Sequence, residues 1–137
     1  MLPSRLARAG YMSHHVGKWH QGFHTAEYMP VARGFNTSIG FLQGGQDHYN
    51  QECGASQTKC DIPRFPKGKV GAWDIWSQTS ENFPGGPCYG LNGSKTDPWT
   101  GDDSKYNGYR FPGTVVRQIR SHVQTYGADT PFFTYFA

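Results

Sequence analysis

Between Thr114 and Tyr126 apolar positions recur at helical spacing. Val116, Ile119, Val123 and Tyr126 share one side, and Arg117, Arg120, Ser121 and Gln124 fill the other. This predicts a helix that ends at Gly127 and turns its apolar stripe to a core. Pro131 to Ala137 is then almost wholly apolar, as expected for a strand covered on both faces of a parallel sheet. Near the start, Pro3 to Ala9 reads as a short helix: Pro3 suits a first helical position, Leu2, Leu6 and Ala9 share a face, and Gly10 closes it. Tyr11 to Lys18 reads as the strand that follows. Helix, glycine turn and strand make half of an α/β unit, so the expected fold class is α/β with parallel strands.

The middle of the chain is less regular. Gln21 to Tyr49 reads as loop, but it carries Phe23, Tyr28, Phe35, Phe41 and Tyr49 and is expected to pack on the body of the protein. Gln51 to Asp103 is rich in Gly, Pro, Ser and Asn and reads as a long surface excursion, with short strands near Val70 to Trp76 and near Tyr89. Three stretches result: residues 1–50 with helix and strand, 51–105 as the excursion, and 106–137 with helix and strand.

Composition narrows the classes. The chain has 137 residues, with 18 Gly, 9 Pro and 36% hydrophobic residues, so the 15% aromatics must supply much of the core. Its net charge of +3 comes from dispersed Lys and Arg, which argues against nucleic-acid binding and suits an anionic ligand. No apolar run approaches the ~18 residues of a membrane span. Met1 to Arg5 lacks the apolar core of a signal peptide. Cys53 and Cys60 lie in one Gly/Ser/Gln loop, where a disulfide would staple a segment with no core of its own, and Cys88 is left over.

The chemistry concentrates at Gly17-Lys18-Trp19-His20. Read as a continuing strand, Lys18 and His20 point one way and Trp19 the other. An ammonium beside an imidazole can bind an anion and move a proton. Gly17 lets other backbone approach, and Trp19 can anchor the opposite face. The plain alternative is a surface lysine and a capping histidine. His14 and His15 face opposite ways and cannot easily share a metal, so one is expected packed and one exposed. His122 falls on the polar flank of the late helix. Arg33 reads as a buried ion-pair partner, and Asp102-Asp103 as solvated.

The flanking words add to this. Ala9-Gly10-Tyr11, Val16 to His20, Pro30-Val31-Ala32-Arg33-Gly34-Phe35, Gly44-Gly45-Gln46-Asp47-His48-Tyr49 and Pro131 to Ala137 occur in one order. That order resembles the type I sulfatases, and among them the arylsulfatase B-like branch. The resemblance is dense from about Leu6 to Tyr49, poor after that, and resumes from Tyr106 to Ala137. It implies an alkaline-phosphatase-like α/β domain that hydrolyses sulfate esters of aryl groups or sugars. By carry-over, Lys18 touches the sulfate and the nucleophile, and His20 hydrogen-bonds the nucleophile and helps return it after turnover. Asp47 and His48 fall where the family places loops near substrate. A cysteine pair in the segment of Cys53 and Cys60 is common in the family.

The resemblance also implies calcium and a formylglycine nucleophile, with their residues outside this chain. The nucleophile arises from C-x-P-x-R, and none of the three cysteines fits: Cys60-Asp61-Ile62-Pro63-Arg64 has its proline one place late. The expectation is an internal segment of a sulfatase, inactive alone and needing the rest of the domain. The implied setting is secretory, lysosomal or extracellular, where Asn92 and the less exposed Asn36 are glycosylation sequons. Asn36 also stands where the family usually has aspartate. Three alternatives remain: a phosphoryl or phosphonate hydrolase of the same superfamily, a non-catalytic module binding sulfated glycans or a protein partner, and an aromatic-rich extracellular domain with no anion site.

Overall fold

In a computed structural model, residues 1–45, 48, 75–81, 86–87 and 106–137 are described. The elements are α1 (Leu2–Ala7), β1 (Met12–Lys18), two 3-10 turns (Ala26–Tyr28 and Val31–Arg33), β2 (Thr37–Phe41), β3 (Trp76–Thr79), β4 (Gly86–Pro87), α2 (Asn107–Tyr126) and β5 (Phe132–Phe136). The strands form one sheet in the order β4-β3-β2-β1-β5. β1 runs parallel to both β2 and β5, while β3 joins β2 antiparallel. The class is α/β, as expected.

The central strand is covered on both faces. One face holds Val16, Ile39, Phe41, Ile75 and Phe111 under α2. The other holds Trp19, Met29, Phe35 and Leu42, which pack with Trp76 and Phe133. Aromatic rings supply much of both clusters, which is how a chain with few aliphatic residues fills its interior. Backbone approach is closest where β5, β1 and β2 meet. A Cβ at Gly17 would run into the Ala137 carbonyl, and one at Gly40 into the Gly17 carbonyl; Gly17 also has φ 107°. The role read for Gly17 is borne out.

Several expectations change. β2 lies inside the stretch read as loop. Thr37-Ser38-Ile39-Gly40-Phe41 is short and glycine-interrupted, and only its place between β1 and β3 makes it a strand. α2 begins at Asn107 rather than Thr114. Pro112 lies within its first two turns, so the bond it forgoes would have gone to a carbonyl near the helix start, and the buried Asn107, Arg110 and Phe111 hold this part down.

The side of α2 that meets the sheet carries Phe111, Thr114, Gln118 and His122. The stripe Val116, Ile119, Val123 and Tyr126 is exposed. β5 is likewise no doubly covered strand: it stands at one end of the sheet, with Phe132, Tyr135 and Phe136 exposed. His14 and His15 are both buried, at 7% and 1% exposure, because both faces of β1 are roofed. His122 is buried as well, edge-on to His14 at 6.2 Å between ring centres. Arg33 makes no ion pair among the described residues; it lies over the Tyr28 ring, 4.9 Å from its centre. The short strand expected from Val70 appears only as Trp76–Thr79 among the described residues, and the one near Tyr89 as Gly86–Pro87.

Candidate functional site

β1 delivers Lys18 to the face that α2 covers. Trp19 turns to the opposite face, where its indole N–H donates to the carbonyls of Gly22 (2.9 Å) and Tyr28 (3.0 Å). The backbone continues along β2 for two more bonds, from Trp19 N to Phe41 O and from His20 N to Leu42 O. His20 then breaks the strand, with a φ of 45° that non-glycine residues seldom adopt. The alternation read for Lys18 and His20 therefore holds only as far as Trp19. His20 is exposed, and its ring lies over Gly44: a Cβ there would come within 2.7 Å of Cε1.

Lys18 borders a cavity of about 460 Å³ that also touches Gly44 and Gly45, His48, Phe41, the start of α2 at Tyr106–Gly108, Phe111 and Phe136. The structure thus gathers Lys18 and His48 around one space, and His20 meets it at the rim through Gly44. The His48 ring stands edge-on to Phe41 at 6.0 Å, and its carbonyl accepts from Asn107 N–H at 2.8 Å, tying this loop to the first turn of α2. Asp47, Cys53, Cys60 and Asn92 lie outside the described residues. Asn36 accepts from Ser13 N–H through Oδ1 at 2.7 Å, and its own N–H donates to the Ser13 carbonyl at 2.7 Å.

Lys18 lines the cavity together with aromatic residues: Phe41, Phe111 and Phe136, with His48 and Tyr106. That combination suits a ligand with an anionic group and a flat or ring-shaped body. The aromatic walls and the start of α2 were not read from the sequence as site residues. Their signal was the return of the family resemblance at Tyr106, masked by Pro112 and Gly113 inside the helix.

Two buried imidazoles lie nearby. Burial pushes the His14 pKa below 6.5, and the neighbouring His122 adds to the effect. His15 is pushed down to about 4 by burial, against which its bond to the Lys18 carbonyl acts.

No family model matches the chain. Its sequence is 45% identical to arylsulfatase J of Mus musculus over 62 residues, which is 45% of this chain and 9% of the mouse protein. An uncharacterized sulfatase of Schizosaccharomyces pombe is 38% identical over 65 residues, 47% of this chain and 11% of that protein. Over these stretches the chain is similar to sulfatases. The arylsulfatase of Klebsiella aerogenes is 41% identical over 49 residues, or 36% of this chain and 10% of its own length.

The chain thus spans about a tenth of the length of the curated relatives it matches. Among solved structures, Ps i-CgsB superposes with a TM-score of 0.60 at 18% identity, over 99% of this chain and 25% of that one. The same protein in complex with k-i-k-neocarrahexaose gives 0.59 at 18% identity. These structures establish the fold, an alkaline-phosphatase-like α/β arrangement. The three relatives are named as sulfatases or arylsulfatases.

Proposed function

We propose that this chain forms part of a sulfatase that hydrolyses sulfate esters of aryl groups or sugars, with Lys18 and His20 as its contribution to the active site. The observation that carries this reading is the Lys18 ammonium on an aromatic-walled cavity beside Gly44, over which His20 lies. Breaking the ester S–O bond leaves negative charge on the departing oxygen and on the sulfuryl oxygens. A fixed ammonium lowers the energy of the latter, and an imidazole can relay a proton. His48 lines the same cavity, which supports a contact with the body of the substrate.

The family implies calcium and formylglycine, and the residues present do not fit either. Among the described residues no Asp or Glu side chain lines the cavity, and no three His, Cys, Asp or Glu side chains gather. None of the three cysteines lies in C-x-P-x-R. This chain's share of the reaction is electrostatic and acid–base. A secretory, lysosomal or extracellular setting accords with the sequons at Asn92 and Asn36, and no helix among the described residues is long and apolar enough to cross a membrane.

The missing nucleophile motif favours one second reading, a module that binds sulfated glycans without turning them over. Two experiments separate them. The 137-residue chain should not hydrolyse a chromogenic aryl sulfate, and turnover by it would refute the partial-site account. In a sulfatase-length protein carrying this segment, Lys18→Ala and His20→Ala should each lower turnover by about 100-fold or more. Near-wild-type turnover in both would remove their roles, and glycan binding by a protein with no turnover at all would favour the module.

A further inference from the structure

His15 is the most deeply buried imidazole in the described chain, at 1% exposure, and it sits three residues before Lys18. Its ring is held on every side. Trp19 meets it edge-on at 5.3 Å, Phe35 tilts against it at 5.7 Å, and Tyr135 stacks on it at 5.9 Å. Both nitrogens are engaged. Nε2 lies 3.2 Å from the Lys18 carbonyl, and Nδ1 lies 2.8 Å from the Ser38 hydroxyl. A carbonyl only accepts, so Nε2 carries the hydrogen, and in the neutral ring Nδ1 must then accept from Ser38. The ring is a strut with one permitted tautomer, running from β2 to the end of β1.

The place it braces is the one the proposed site depends on. At Lys18 the chain is about to leave the sheet, and two residues later His20 adopts its strained backbone angle. The Lys18 N–H reaches the Ala137 carbonyl at a long 3.4 Å. The His15 bond therefore clamps the Lys18 peptide at the point where the side chain departs toward the cavity.

We propose that His15 is a positioning residue: through its Nε2–H it fixes the Lys18 carbonyl, and with it the direction of the ammonium and the entry into the His20 turn. This rests on the reading of Lys18 as the sulfate contact. It uses His15 as a neutral N–H donor that never meets substrate.

The test uses the folded 137-residue chain with inorganic sulfate as probe, followed by nuclear magnetic resonance. Long-range nitrogen–proton spectra should show His15 as the Nε2–H tautomer from pH 8 to pH 5. His15→Leu should shift the Lys18 to His20 amides and weaken sulfate binding at Lys18 by about fivefold, the effect of one lost hydrogen bond. His15→Gln keeps an N–H at nearly the same reach and should bring sulfate affinity back to within about twofold of the parent. An Nδ1–H tautomer would overturn the proposal. So would a His15→Leu chain with unchanged amides and sulfate affinity, or a His15→Gln chain as impaired as His15→Leu, since that pattern means packing alone. Should the parent show no sulfate response while the tautomer and amide shifts hold, the reading of Lys18 fails and the clamp on its peptide stands. Where His15→Leu does not fold, the tautomer and the His15→Gln result decide.

Discussion

Acid should weaken this fold through His15, and the size of the effect follows from its surroundings. Folded, the ring is held neutral by burial, with a pKa of about 4 against the ordinary 6.5. The unfolded chain takes up a proton as the pH falls through 6.5; the folded chain resists until about 4. The unfolded state therefore binds more protons across that window, so the contribution of His15 is complete above 6.5, declines as pH falls, and is lost below about 4. The whole span corresponds to about 3 kcal/mol, of which about 2 kcal/mol is gone by pH 5. That is a large share of the roughly 5–15 kcal/mol available to a small domain.

Among the described residues no carboxylate side chain is set against the ring to soften the effect. β1, β2, β5 and α2 contain no Asp or Glu, and Asp129 in the connection before β5 is exposed. His14 works in the same direction, since its pKa is also lowered and His122 faces it. Urea unfolding at pH 7.5 and pH 5.0 provides the assay, run on the parent chain and on His15→Gln. The parent should lose about 2 kcal/mol more than the variant on acidification. Equal losses in both would mean that His15 is not held neutral by the fold, and the account of its burial would fail.

Three further outcomes are expected. Gly40→Ala should destabilise by about 1–3 kcal/mol or more, because its Cβ has only the Gly17 carbonyl to displace; unchanged denaturant midpoints would contradict the close approach of β1 and β2. Phe111→Ala should remove about 3–5 kcal/mol, since the ring is 6% exposed and bridges α2 to Phe41, and calorimetry would measure it. Trp19→Phe should leave the Gly22 and Tyr28 carbonyls without their indole donor and lower stability by about 1–3 kcal/mol, with faster amide exchange around Gly22; parent-like exchange there would count against the anchor.

The strand that carries Lys18 was legible because helix, glycine turn and β-branched or aromatic positions follow each other without conflict. The anchoring face of Trp19 and the close approach at Gly17 were legible for the same local reason. β2 was not, because Thr37 to Phe41 is interrupted by Gly40 and owes its extended shape to neighbours on both sides. The start of α2 was hidden by Pro112 and Gly113, whose local preferences are overridden by the burial of Asn107 and Phe111. The burial of His14, His15 and His122 could not be read from spacing, since a polar residue on an apolar face signals nothing until its partners are known. Among site residues, Lys18 was found through its motif. The aromatic walls come from β2, α2 and β5, and only the folded chain brings those three together.

The outer margin of β5 has a further consequence. Along it runs a row of backbone donors and acceptors without a neighbouring strand among the described residues, flanked by Phe132, Tyr135 and Phe136. Flat, greasy and open to pairing, such a border invites any extended peptide to zip onto it. Produced by itself at high concentration, the protein should cluster through this border, and a lysine placed at Tyr135 should keep it dispersed.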